Sequence, residues 1–375
     1  MNKSIKKCVV IFIIYIMAFT GCATQPEETI IDDLQVNSIQ AYNAIFEKSS
    51  LRTYINVYET ELFYMEIIGN SADFYIYDFA TENKQKISTV SNFALKGRSN
   101  TLINDTLYFY ISIYNGDELK NVLYGMNYTE KEMYIVSENT YTQRLIPIIG
   151  IENQIVALQG NTLDDGVMET FFEVINDGGN TKQVELQQSD VDCTRNSISQ
   201  SIVCFDGDGQ YLYSIEKSCS NKDTRYFLTK YDLDFNYVEK IDITEFLKNY
   251  EISHSIGMFN AFGNYFCITD YSGNSILYEV KNGEVSIILS ESDLEYVVNS
   301  CENLNYEFFY IRNTNEIYRL DVKNGKLEKQ NYNLENETSD IRCVLSYDNV
   351  LLIIKNSTTN DDKENLYLIP CDNIP

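Results

Sequence analysis

The side chains that most often carry out proton transfer or bind zinc are scarce in this chain. His254 is the only histidine among 375 residues, so a zinc site or a Ser-His-Asp relay would depend on it alone. No Gly-x-Ser-x-Gly elbow and no His-x-x-x-His spacing accompanies it. Residues 252–256 alternate apolar and polar side chains, which is typical of a β-strand. We therefore interpret His254 as a structural residue.

Acidic residues offer a second kind of chemistry. Asp206-Gly207-Asp208-Gly209 begins like a calcium-binding loop, but Gln210 and Tyr211 follow where further oxygen ligands would be needed. We interpret the segment as a hairpin turn and predict no metal site, no cofactor and no catalytic residue. The 55 acidic residues could still supply a pair for glycoside hydrolysis, because only the distance between two carboxylates in space decides that.

The first 22 residues have the order of an export signal. Lys3, Lys6 and Lys7 precede an apolar run over residues 9–19, which is too short to cross a bilayer, and small residues follow. Phe19-Thr20-Gly21-Cys22 resembles the lipobox of bacterial lipoproteins, although that family prefers Leu where Phe19 stands. The resemblance implies that residues 1–21 are a signal peptide and that Cys22 carries the lipid. Residues 22–30 would be a flexible tether, and the protein would lie on the extracytoplasmic face of the cell membrane.

Net charge excludes one class of partner. The formal charge is -26, and the signal segment contributes three lysines and no acids, so the exported chain is more acidic still. Such a field repels phosphate backbones, and we expect no binding to nucleic acid. The lipid would have to hold the protein at the membrane against this charge.

A strand phrase recurs along the chain and dominates its organisation. Each copy combines aromatic and aliphatic residues and most end near Asp or Asn; the copies are residues 74–78, 123–127, 172–176, 228–232, 277–281, 317–321 and 366–370. The ends of the copies are separated by 49, 49, 56, 49, 40 and 49 residues. Turns such as Asn104-Asp105 and Gly263-Asn264 precede other strands and predict antiparallel hairpins. A period of this length with several short strands is typical of a β-propeller.

The phrase and the lipobox together resemble the uncharacterised propeller-forming lipoproteins of Gram-positive bacteria. We predict an all-β fold in which residues 31–375 form a single propeller, with seven blades favoured and six or eight also compatible with the length. Only five residues follow Pro370, so the last blade needs an outer strand from the N-terminal part of the domain, within residues 30–45. The alternative for residues 35–46 is a short helix.

Cysteines and the irregular repeat give one further site. Seven cysteines remain beyond Cys8 and Cys22, an odd number without CxxC spacing. The step of 56 residues is lengthened around residues 216–225, and loop excursions from a repeat often carry function. Cys204 and Cys219 lie near this excursion and are a candidate disulfide, with Cys193 as a competing partner.

The sequence thus predicts a class of function and no specific reaction. We expect a binding or protein-interaction module whose ligand, a protein or a glycan, lies at the channel mouth or on the loops of one face. Two alternatives remain, an exported hydrolase or lyase acting on polysaccharide or peptide, and a scaffold for an envelope assembly complex. The 30 tyrosines could form a sugar-stacking surface, but most fall inside the strand phrase, which indicates packing.

Overall fold

Seven four-stranded antiparallel sheets make up the computed structural model. The structure describes residues 42–116, 118–139, 148–151, 153–162, 168–176, 179–184, 199–220, 223–250, 252, 256–270, 272, 274–292, 294–297, 306–311, 314–330, 341–347, 350–356 and 362–370. Each sheet is one blade, and the prediction of an all-β propeller with seven blades is confirmed.

The first six blades each use four consecutive strands. Blade 1 consists of β2 to β5 (Arg52–Tyr58, Glu61–Ile68, Ser71–Asp78, Asn83–Ser91). Blade 2 consists of β6 to β9 (Phe93–Ile103, Thr106–Asn115, Glu118–Asn127, Glu132–Asn139). Blade 3 consists of β10 to β13 (Ile148–Ile151, Gln154–Thr162, Met168–Asn176, Thr181–Val184). Blade 4 consists of β14 to β17 (Ser199–Gly207, Leu212–Ser220, Asp223–Tyr231, Tyr237–Asp242).

The remaining blades follow the same plan until the last. Blade 5 consists of β18 to β21 (Ile256–Phe262, Tyr265–Asp270, Asn274–Lys281, Glu284–Ser292). Blade 6 consists of β22 to β25 (Leu294–Val297, Tyr306–Ile311, Glu316–Asp321, Lys326–Gln330). Blade 7 joins β26 to β28 (Ile341–Tyr347, Val350–Asn356, Lys363–Pro370) to β1 (Tyr42–Glu47).

Burial explains why the strand phrase repeats. Every copy of the phrase falls on the third strand of a blade, which lies between two neighbouring strands. The second strand is also buried on both faces, as in β7, whereas most of the outer strand β5 is exposed. Blades must stack on one another to bury both faces, so their central strands need continuous apolar and aromatic runs.

The tyrosines of these strands serve packing, as the phrase indicated. Tyr64, Tyr128, Tyr278 and Tyr310 have almost no exposed surface. Between blades 1 and 2, Tyr58 stacks on Tyr128 with ring centroids 4.6 Å apart. Such aromatic pairs add to the stabilisation that burial already provides.

Strand β1 closes the ring, as predicted. It pairs antiparallel with β28, from Tyr42 opposite Leu368 to Glu47 opposite Lys363. The prediction of its position needs correction, because the strand begins at Tyr42 and ends beyond the predicted range of 30–45. Residues 30–41 lie outside the described part of the chain, and the alternative of a helix is wrong for residues 42–46.

The propeller has two distinguishable faces. The first, second and third strands of each blade are its A, B and C strands. The A–B face carries the turns between first and second strands. The opposite face carries the turns between second and third strands and is the B–C face. Because β1 runs antiparallel to β28, Tyr42 lies at the A–B face and Glu47 at the B–C face. Strand β1 therefore begins at the A–B face.

One short helix lies between blades 4 and 5. Helix α1 (Thr244–Asn249) buries Leu247, and the Tyr226 N–H donates to Thr244 Oγ1 over 2.9 Å. Among the described residues, no helix has the length and apolar character that a membrane crossing requires. The expected loop excursion at residues 216–225 is wrong, because β15 and β16 pair along their whole length up to Ser220 opposite Asp223.

A buried carboxylate joins the two ends of the ring. Glu364, with no exposed side-chain surface, forms an ion pair with Arg342 and accepts a hydrogen bond from Tyr54 Oη over 2.5 Å. Arg52 Nη1 lies 3.9 Å from Glu364 Oε2 and donates to the Glu47 carbonyl over 2.7 Å. We call Glu364, Arg342, Arg52 and Tyr54 the closure clasp.

We predict that Phe46→Ala destabilises the propeller by about 2–4 kcal/mol, because Phe46 fixes β1 to blade 1. Its ring contacts Tyr77 edge-on with centroids 5.0 Å apart, and the Arg52 guanidinium lies 5.0 Å from its centroid. Ile45, the preceding residue, is 65% exposed, and Ile45→Ala is the matched control, with an expected change within about 0.5 kcal/mol. Urea unfolding measures both variants, and equal losses would contradict the assignment of β1.

Candidate binding surfaces

The predicted site residues are distributed over several regions. Cys22, Cys193 and His254 lie outside the described residues. Asp208 is in a turn, where its Oδ1 accepts the N–H groups of Gln210 and Tyr211 over 2.9 and 2.8 Å. Tyr213 Oη donates to Asp208 Oδ2 over 3.0 Å, so both oxygens serve the turn. In the part of the chain that the structure describes, no group of three or more His, Cys, Asp or Glu side chains is placed to hold a metal ion.

The strand register does not bring the two candidate cysteines together. Cys204 lies opposite Ile215 and Cys219 lies opposite Ser199 on the same pair of strands. Cys219 is four positions beyond Ile215, or about 13 Å along β15, whereas a disulfide needs Cα atoms within about 7 Å. Cys204 is a buried free thiol, and burial raises its pKa. A Cys204–Cys219 bond would therefore require a different register in blade 4.

First strands of neighbouring blades are in contact, as β14 is with β18, and they surround the centre of the ring. Polar side chains connect some of them. Asp206 Oδ2, on β14, accepts the Ala261 N–H of β18 over 3.0 Å. Asn100 Nδ2, on β6, donates to the Ile55 carbonyl of β2 over 3.0 Å. These bonds satisfy backbone groups that would otherwise face the channel without a partner strand.

Burial changes the proton affinity of two groups on first strands. It raises the pKa of Asp206 to about 7, although hydrogen bonds from Ala261, Gly207 and Asn260 act in the opposite direction. Burial lowers the pKa of Lys96 to about 8. Lys96 precedes a bulge in β6, and its Nζ donates to the Gly97 carbonyl over 2.9 Å. The sequence did not indicate either environment, because each depends on a bulge or on the neighbouring blade.

A cleft of ≈ 460 Å³ lies between blades 5 and 6 on the A–B face. Its lining is formed by two turns and the strand ends beside them: Gly263, Asn264, Tyr265, Glu279, Lys281, Val322, Lys323, Asn324 and Gly325. Tyr265 is buried, and its hydroxyl bonds to the Glu279 carboxylate. Gly325 has a φ of +68°, and a Cβ there would lie 2.5 Å from Tyr265 Oη, so a larger residue would be strained and would displace the Tyr265 hydroxyl.

An apolar patch lies on the opposite, B–C face. Leu51, Ile68 and Tyr114 are 53%, 57% and 53% exposed. Backbone hydrogen bonds connect their segments across the start of blade 1 and into blade 2: Ile67 N to Leu51 O, Phe93 N to Asn70 O and Tyr114 N to Asn92 O. We call Leu51, Ile68 and Tyr114 the B–C patch.

The similarities of this chain to known proteins are limited to solved structures. No protein-family model matches this chain. No curated protein matches it either. The chain is similar to the β-propeller domain of the Trilobed protease from Pyrococcus furiosus, with 16% identity and a TM-score of 0.45 over 74% of this chain and 82% of that chain.

Two further solved structures are similar at the same level. The β-propeller domain of Myceliophteria thermophila Cps50 (Swd1) shares 12% identity, with a TM-score of 0.49 over 86% of this chain and 98% of that chain. An uncharacterized protein from Listeria monocytogenes EGD-e shares 10% identity, with a TM-score of 0.47 over 82% of this chain and 90% of that chain. Because these TM-scores are below 0.5, we draw no functional conclusion from them.

We predict that Asp206→Asn changes how stability depends on pH. The unfolded carboxyl loses its proton near the ordinary pKa of 3.8, whereas the folded one keeps it up to about 7. The folded state therefore binds more protons in this window, and wild-type stability falls as pH rises through it. Between about pH 5 and about pH 8, Asp206→Asn should gain on the order of 2 kcal/mol relative to wild type.

Urea midpoints at the two pH values measure this gain. Asp234→Asn removes the same charge from an exposed turn and is the matched control. A constant difference between Asp206→Asn and wild type at both pH values would show that the Asp206 carboxyl is not buried in this way.

Proposed function

We propose that the protein is a lipid-anchored, extracytoplasmic interaction module that binds a protein partner through the B–C face. The observation that carries the proposal is the B–C patch, three large apolar side chains that are each more than half exposed on adjoining segments. Apolar side chains that are exposed to water do not stabilise the fold. Burial of the same side chains against a partner removes apolar surface from water and favours binding.

The direction of the chain supports the choice of this face. The segment that precedes β1 joins the propeller at the A–B face, because Tyr42 lies opposite Leu368 near the end of β28. A tether from Cys22 attached there leaves the B–C face free to meet a partner. Asn70 and Asn92 are exposed on the connecting turns, and their side-chain amides suit the polar rim that protein interfaces have.

The enzyme alternative has weaker support. Hydrolysis of a glycoside by the usual route needs two carboxylates on either side of the bond. The cleft between blades 5 and 6 is lined by a single acid, Glu279, whose carboxylate is bonded to Tyr265. An interaction module is therefore the function that the described residues support best.

The proposal is tested with full-length protein expressed in its lipidated form. Cys22→Ser should move the protein from the membrane fraction to the soluble fraction and abolish the mass added by acylation. The triple variant Leu51→Ser, Ile68→Ser and Tyr114→Ser should stay in the membrane but lose its partner at least about tenfold, since each buried side chain contributes roughly 1–3 kcal/mol. Cross-linking in intact cells followed by quantitative mass spectrometry measures the partner.

A matched control keeps the test specific. Ile135, Tyr237 and Val238 are 52%, 42% and 47% exposed on the outer strands β9 and β17. The triple variant Ile135→Ser, Tyr237→Ser and Val238→Ser should cross-link the same partner as wild type. Equal cross-linking by the B–C patch variant and wild type would overturn the proposed surface, and soluble Cys22-containing protein would overturn the anchor.

A further inference from the structure

We infer that the cleft between blades 5 and 6 binds an oxyanion, the phosphate or carboxylate group of a ligand. The cleft lies on the A–B face, away from the B–C patch, so this inference stands apart from the proposed interaction surface. Its volume of ≈ 460 Å³ is within the range of small-molecule sites.

Two lysines supply positive charge to the cleft. Lys281 ends β20 and Lys323 lies in the turn after β24, and both side chains are exposed. Neither ammonium group forms a hydrogen bond or an ion pair within the described part of the chain, whereas Lys326, at the start of β25, pairs with Glu328. The net charge of the chain is -26, so two unpaired ammonium groups give this cleft a local charge of the opposite sign.

The other polar groups favour an anion over a cation. Glu279 is the one acid of the lining, and its carboxylate is bonded to the Tyr265 hydroxyl. Asn264 presents an exposed side-chain amide, while Asn324 donates from its own amide to Asp321 Oδ2 over 2.7 Å. The groups free to contact a ligand are thus two ammonium donors and one amide, which match phosphate or carboxylate oxygens.

The cleft is shaped by the backbone rather than by mobile side chains. Gly263 has a φ of +64°, and its Cβ position would lie 3.5 Å from Val322 Cγ1 of the next blade. Val280 N donates to the Asn264 carbonyl over 2.8 Å and fixes the turn to β20. The floor is therefore set by tight turns, and the lysines extend from strand and turn positions that those turns define.

An oxyanion could come from a soluble ligand or from a lipid headgroup, since β1 also begins at the A–B face. The experiment separates these sources with inorganic phosphate, glucuronate, and vesicles of phosphatidylglycerol and phosphatidylcholine in equal parts. Isothermal titration measures the soluble anions and co-sedimentation measures the vesicles, in each case with full-length Cys22→Ser protein at low salt.

The variant Lys281→Gln with Lys323→Gln should weaken binding at least about tenfold, because it removes both charged donors to the anion. The matched control, Lys48→Gln with Lys182→Gln, removes two exposed lysines elsewhere and should stay within about twofold of wild type. Lys281→Arg with Lys323→Arg keeps the charge and should retain binding, which shows that a loss in the Gln variant is not due to misfolding.

Binding to vesicles alone, with the same pattern among variants, would support the site and identify a lipid headgroup as the source. Binding to phosphate or glucuronate would support a soluble ligand. The inference is overturned if wild type binds none of the three probes, or if both Gln variants weaken equally. The B–C patch variant should bind the anion like wild type, so failure here leaves the proposed interaction surface intact.

Discussion

The fully buried carboxylate of Glu364 is the constraint on which ring closure depends. A carboxylate without water must be paired and hydrogen-bonded, and its partners come from two separate strands. Arg342 lies on the first strand of blade 7, whereas Arg52 and Tyr54 lie on the first strand of blade 1. The same two guanidinium groups donate to the carbonyls of Glu47 and Ser49, which link β1 to β2. The beginning and the end of the propeller are therefore held at one point.

This closure gives the propeller its two unlike faces. With β1 paired to β28, β1 begins at the A–B face, and the closure clasp lies towards the B–C face where β1 ends. Around the ring, Asp206 and Asn100 make smaller connections between first strands. The B–C patch adjoins the clasp, since Leu51 directly precedes Arg52. The cleft with Lys281 and Lys323 lies on the other face, so the two proposed functions use independent surfaces.

The repeat in the sequence predicted the architecture because the third strand of every blade meets the same packing requirement. Each copy of the phrase lies between two strands and two neighbouring blades, and only continuous apolar runs meet that demand. The position of β1 was less predictable, since Ala44 and Phe46 pack inward but Ile45 is exposed, a pattern too short to define a strand. Residues 216–225 were misassigned because a hairpin with polar strand ends resembles a loop in sequence.

The sites were less predictable than the fold, because they arise between blades. Lys281 and Lys323 are 42 positions apart, and their shared cleft depends on how blades 5 and 6 stack. The closure clasp likewise joins residues about 300 positions apart, and it can be tested most directly by double-mutant analysis. Glu364→Gln should lower the free energy of unfolding by about 1–3 kcal/mol, because Arg342 loses its carboxylate partner and Tyr54 loses a charged acceptor. Glu364→Leu should also be destabilising, and adding Arg342→Met to Glu364→Leu should recover part of the Glu364→Leu loss. A loss below about 0.5 kcal/mol for Glu364→Gln, or strictly additive effects in the pair, would contradict the account.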